Sequence, residues 1–448
     1  MLHSVSSGLA TLEKKIYQLV VAEVDGDRIS ELSYQSHVAG LMGKGVSGFV
    51  FSGGTKANLK SFAASLRALT VTPLFIACKL MDGTMGRMRG FTEFPSLMAL
   101  AAAVDLKKPE NLNLLRCVLN AMAREAMDCG MNVAAIPASL AADCCRGVIC
   151  KEGSSEAGNL AWIRTESIRI FEEAGLLVYE NSCLSDRRVF CRAVLGGCQE
   201  LPCDPASVVF DDVKERTPAG WFEKDVNILI VSDDPDGVVR ELAFAVTEGR
   251  IAEEWIDRAL VSIGAAKSQQ SEPSGIKVDQ VLNECLSREI SEMAVTLVKG
   301  KGRFFPLRES DNIPLIYAGD EAYFQASPLR SYVKQASHAG RPLHSKERPA
   351  MFLLFGDAAS EGLSAADSGN DAMKSLSRLI RATSPSVVVS FGSPHVLSRF
   401  KDADVLIAAY DSTGFAQEAV FKCVIGERRF EGRLPVTLNI PDKRGRQK

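Results

Sequence analysis

Histidine is scarce in this sequence: there are five in 448 residues, and none lies between His37 and His338. The 12 cysteines contain no C-x-x-C pair. Cys144, Cys145, Cys150, Cys183, Cys191, Cys198 and Cys203 crowd one region, yet neither imidazole nor paired-thiol spacing accompanies them. They read as reduced thiols filling small sites, not as zinc ligands, and no metal is expected. No apolar run reaches membrane-spanning length. The opening MLHSVSSGLATLEKK lacks the apolar core and cleavage site of an export signal, so a cytoplasmic protein is expected. Charge of one sign is also missing: the net charge of −3 gives no pull toward nucleic acid or an anionic membrane. Gly53-Gly54 and Gly83 sit in no phosphate-cradling pattern, so no cofactor is expected. There is no internal repeat and no low-complexity tract.

What is present is an ordinary globular composition, 46% hydrophobic and 24% charged, on a chain long enough for two or three domains. The N-terminal half alternates strand and helix signals. A short helix from Thr11 runs into a strand over Tyr17–Val24. A helix over Ile29–Met42 is followed by the strand Val46–Phe51, closed by Ser52-Gly53-Gly54. In Lys56–Leu69 the apolar residues Leu59, Phe62, Ala63, Leu66 and Leu69 recur at helical spacing. The run from Val71 to Cys78 is a buried strand ending in the glycine-bearing loop Asp82-Gly83-Thr84-Met85-Gly86-Arg87. A helix restarts at Pro95 or Ser96. Successive strand–helix repeats predict a parallel α/β sheet, and a strand end feeding a ligand-sized loop is what a β/α barrel places at its active face.

The pattern continues through a helix over Asn111–Cys129, a strand over Gly130–Pro137, a helix over Leu160–Ala174 and a strand ending at Tyr179. Between Tyr179 and Val226 fewer than fifty residues remain, too few for two further parallel strands with full crossovers. The strand-like pieces Arg188–Leu195 and Ala206–Phe210 therefore predict an irregular barrel, short of helices on this side, with a strand missing or reversed. Regularity returns with the strand ending at Val231. Asp233-Asp234-Pro235 then opens a helix, where acidic residues suit the dipole. The polar, breaker-rich 268–275 reads as a linker. Beyond it, a helix over Val278–Val298 leads into strands at Pro314–Ala318, Met351–Phe355, Ser386–Phe391 and Val405–Ala409, a smaller open α/β sheet.

Several stretches resemble glycoside hydrolase family 3, the β-N-acetylglucosaminidase branch. They are Thr11–Leu19, Val46–Gly54, Gly90–Leu100, Gly130–Pro137, Glu248–Asp257, Val387–Pro394 and Glu431–Leu438. The resemblance implies an irregular TIM-type β/α barrel over residues 1–267, a linker over 268–275, and an α/β sandwich over 276–448. It also implies a carbohydrate ligand, with retaining hydrolysis through an aspartate nucleophile and a histidine proton donor. Carried over position by position, the sugar-gripping Asp falls on Lys79, and a later loop Arg is kept as Arg87. An Arg falls on Glu152, and the lysine–histidine pair falls on Glu180 and Asn181. The proton-donating His falls in 182–186, where there is none. The nucleophile falls on Asp211. An ammonium only donates hydrogen bonds where a carboxylate accepts two. Lys79 either pairs with Glu152 or Glu180 across the mouth or is a drifted surface residue; Arg87 either binds ligand or caps the following helix. The implied function is a family member with little or no hydrolysis, acting as a scaffold or sugar binder. The alternative is an active hydrolase of altered substrate that uses Asp211.

Overall fold

A computed structural model of the chain describes residues 11–79, 88–137, 155–181, 191–193, 208–212, 227–270, 275–300, 305–308, 313–319, 321–325, 327–331, 336–338, 350–355, 368–438 and 440. Their contacts divide into two compact units. The first comprises the described residues of Met1–Phe91, Leu119–Arg146 and Glu166–Asp279. The second comprises those of Thr92–Val118, Gly147–Thr165 and Gln280–Lys448.

The first unit is built on eight strands, β1 (Val20–Asp25), β2 (Gly48–Ser52), β3 (Phe75–Lys79), β4 (Val133–Pro137), β5 (Leu177–Asn181), β6 (Cys191–Ala193), β7 (Val208–Asp212) and β8 (Ile228–Val231). They are ordered β5-β4-β3-β2-β1-β8-β7-β6. Every ladder is parallel except β6 against β7, which is antiparallel. The sheet curls until its two end strands, β5 and β6, run against each other with Cα atoms within 8 Å. The result is the irregular barrel expected from the short 180–226 interval, with eight strands and one of them reversed.

Between strands lie α1 (Leu32–Lys44) and α2 (Lys56–Ala68), and later α6 (Pro235–Thr247) and α7 (Glu253–Ser268). Between them in the chain come α3 (Leu97–Ala103), α4 (Pro109–Asp128) and α5 (Ser155–Ala174). Local chemistry accounts for several boundaries. Gly45 ends α1 at φ 98°, a left-handed cap that glycine adopts without cost. The Thr55 side chain accepts the Asn58 N–H and starts α2. Asp234 accepts the Gly237 N–H at 2.8 Å, so Asp233-Asp234-Pro235 does open a helix.

Two boundaries differ from expectation. The first helix, residues 11–17, takes in Tyr17, and β1 begins three residues later. The strand expected from Val71 begins at Phe75, because Pro73 has no N–H for a ladder. The buried Asn132 side chain takes over there, accepting the Ile76 N–H at 2.8 Å and donating to the Leu74 carbonyl at 2.9 Å.

In the second unit six strands, β9 (Thr296–Lys299), β10 (Leu315–Ala318), β11 (Ala336–His338), β12 (Ala350–Phe355), β13 (Ser386–Phe391) and β14 (Val405–Ala408), lie in the order β11-β10-β12-β13-β14-β9. All pairs are parallel but β14 with β9. The residues of β12, β13 and β14 are buried throughout, as in a sheet covered on both faces. Phe355 and Phe391 stack at 4.9 Å in its core. The helix expected over Val278–Val298 stops at Ala294 as α8 (Gln280–Ala294), and Thr296, Leu297 and Lys299 pair with β14 as the antiparallel edge. Helix α3, with Leu97, Met98, Ala99, Leu100, Ala101 and Ala102 buried, packs on α8. Helix α8 in turn packs on α12 (Gly414–Val424), which follows the helices α9 (Glu321–Gln325), α10 (Pro328–Ser331) and α11 (Ser368–Arg381).

Candidate functional site

Parallel strands present their carboxyl ends on one rim, and this is where β/α barrels place their chemistry. Four of the sequence-predicted residues lie on that rim. Lys79 ends β3 and is in register with Ala135 of β4. Glu180 and Asn181 end β5, in register with Ile136 and Pro137. Lys79 and Glu180 therefore flank the end of one strand, β4, with β3 and β5 roughly 10 Å apart as two strand spacings. Asp211 lies one residue before the end of β7, in register with Leu229. In the curled eight-strand order β7 stands four strands from β3, on the opposite side of the ring from Lys79. Arg87 and Glu152 lie outside the described residues, as do all the clustered cysteines except Cys191 on β6. Among the described residues no group of His, Cys, Asp or Glu is placed to hold a metal ion.

Arg89 anchors the chain to the barrel. The Arg89 N–H donates to the Gly54 carbonyl and the Lys56 N–H to the Arg89 carbonyl, both at 2.8 Å. The Arg89 guanidinium pairs with Asp27 at 2.7 Å. Lys56 donates at 2.6 Å to Glu125, which is fully buried, and its ammonium lies 5.5 Å from the Phe91 ring centre. Gly54 makes this possible: it sits at φ 87°, and a Cβ there would fall 2.7 Å from the Gly26 carbonyl oxygen.

A cleft of about 700 Å³ opens beside the rim at the ends of β1 and β8, lined among others by Glu23, Asp25, Arg28, Tyr34, His37 and Ser232. The Ser232 hydroxyl donates to Glu23 at 2.6 Å. The Asp25 N–H donates to the Tyr34 hydroxyl oxygen, and the Asp27 N–H to the Asp25 carboxylate, both at 2.9 Å. Arg28 lies 4.5 Å over the Tyr34 ring and pairs with Glu31 at 3.3 Å. The cleft thus offers carboxylate acceptors, hydroxyls and an imidazole together. Sequence reasoning passed over these residues; the signal was the Glu23-x-Asp25 alternation closing β1, just before a glycine.

Comparisons with known proteins follow the same lines. Residues 11–165 match the family model described as the glycosyl hydrolase family 3 N terminal domain. No curated protein sequence matches the chain. Among solved structures, a family 3 β-N-acetylglucosaminidase from Paenibacillus sp. str. FPU-7 is 17% identical with a TM-score of 0.65, over 96% of this chain and 99% of that one. A fungal multi-domain family 3 β-N-acetylglucosaminidase is 14% identical with a TM-score of 0.64, over 96% of this chain and 61% of that one. The β-glucoside phosphorylase BglX is 13% identical with a TM-score of 0.61, over 97% and 95%. Residues 11–165 thus carry the family 3 N-terminal domain, and the chain shares with these structures the fold of a barrel followed by an α/β sandwich.

Proposed function

We propose that this chain is a family 3 protein with little or no glycosidase activity, which keeps the barrel as a carbohydrate-binding scaffold. The observation that carries the reading is the inverted chemistry of the rim. Lys79, Glu180 and Asn181 end β3 and β5, where the family motif has Asp, Lys and His. A sugar hydroxyl pair that would meet an accepting carboxylate meets a donor instead, and the motif's histidine acid has no counterpart between His37 and His338. Retaining hydrolysis without a proton donor leaves a poor leaving group unassisted.

A second reading is favoured by one placement: Asp211 lies near the carboxyl end of a barrel strand, a position from which a nucleophile acts. It makes the chain a retaining hydrolase of altered substrate with Asp211 as nucleophile. Release of p-nitrophenol from a panel of glycosides, the N-acetyl-β-glucosaminide included, separates the two. The first reading expects no turnover above buffer and a rise in melting temperature with added N-acetylglucosamine, because a ligand bound only by the folded chain stabilises it. Turnover that disappears in Asp211→Asn would establish the second and overturn the first.

A further inference from the structure

In the second unit two short segments exchange carboxylates. Glu93 accepts the N–H of Gly414, the first residue of α12, at 2.6 Å. Asp411 accepts the N–H of Ser96, the N-cap of α3, at 3.0 Å. Each helix start is therefore held by a carboxylate on the segment leading into the other. These bonds add to each helix's own cap, since the Ser96 and Thr413 hydroxyls accept the Ala99 and Ala416 N–H groups. The Asp411 loop is held in place from both sides. Tyr410 adopts φ 70°, an unfavourable backbone for a bulky residue, and its hydroxyl donates to Thr296 at 2.7 Å. The Ser412 hydroxyl donates to the Phe391 carbonyl at 2.6 Å.

We propose that segments 93–96 and 411–414 form a proton-responsive clasp, tightest when the Asp411 carboxyl is neutral and loosened when Asp411 and Glu93 are both ionised. Asp411 is 5% exposed. Burial pushes its carboxyl up to about 6; the hydrogen bonds from Ser96 oppose this, and the negative charge of Glu93 adds to it. Glu93 is the one charged group that acts on Asp411 among the described residues. A carboxyl raised on folding stabilises the native state while protonated. That contribution is complete below the ordinary carboxyl range and is lost as pH climbs through about 6.

Hydrogen exchange followed by mass spectrometry on the full chain tests this. Peptides covering 92–100 and 409–420 are compared between wild type and Asp411→Asn from about pH 5 to about pH 8, so that the ratio of rates cancels the intrinsic pH dependence of exchange. From the acid end to the alkaline end the wild-type rate is expected to rise about ten-fold relative to the variant's. Peptides over 48–52 should keep a constant ratio. Carbon-13 titration of Asp411 in wild type and in Glu93→Gln gives a reading independent of whether Asp411→Asn folds, and the variant should titrate at lower pH than wild type. A pH-independent exchange ratio, or an Asp411 carboxyl titrating in the ordinary range near 4, overturns the proposal.

Discussion

Lys267 is 8% exposed, and among the described residues no carboxylate pairs with it. Its ammonium on α7 lies 5.3 Å from the centre of the Phe75 ring. Desolvation pulls it down to about 8, because burial disfavours the charged form. A lysine depressed on folding binds its proton less well in the native state. It therefore costs stability at neutral pH, and the cost fades as pH rises from about 8 toward the ordinary lysine value. Lys267→Met should stabilise the chain by about 3 kcal/mol at pH 7 and by close to nothing above pH 10. Urea unfolding at the two pH values checks it, and a gap of constant size would refute the desolvation account. Little in the sequence marks this residue, since an Ala-Ala-Lys-Ser run at a helix end reads as a solvated terminus. Asp234 was the opposite case: an acidic residue ahead of Pro235 announces a helix start from the sequence, and the Gly237 N–H confirms it.

At the scale of elements, close approach of backbones decides what composition leaves open. Gly48 opens β2 with no unusual dihedral, yet a Cβ there would lie 2.0 Å from the Phe75 carbonyl oxygen of the neighbouring β3. Gly48→Ala should cost about 3 kcal/mol through forced displacement of that pair, read as a lower midpoint of denaturation. The control Gly40→Ala meets nothing within 4 Å and should be near neutral or stabilising, as alanine is the better helix residue. Strand and helix types were legible because apolar periodicity is a local property: β2, α2, β4, β12 and β13 fall where their patterns place them. The reversal of β6 was legible only as a shortage of chain between Tyr179 and Val226. The edge strand β9 was not legible at all. Thr296-Leu297-Val298 continues the apolar spacing of α8, and it becomes a strand because β14 offers it an unpaired edge.

For the whole molecule, the second unit draws on sequence far from the C-terminal half. Helix α3 buries six residues and packs on α8. Burying Leu97, Met98 and Leu100 alone contributes about 5 kcal/mol, a large part of a domain's net stability. A fragment of residues 276–448 should therefore lack a cooperative thermal transition, while the full chain keeps one. A cooperative, monomeric fragment would show that α3 is dispensable. No helix among the described residues is long and apolar enough to cross a membrane.

Local pattern in this chain was enough to specify a barrel-like α/β half and a smaller open sheet, because periodicity, caps and turn residues act over a few neighbours, while the positions of Lys79, Glu180, Asn181 and Asp211 were singled out by the family resemblance. Which of those positions share a rim, which strand runs backwards, and which carboxylates meet across Ser96 and Gly414 were decided only by the tertiary structure. Hydrogen-bond register and burial join residues hundreds of positions apart, and no stretch of sequence carries that information alone.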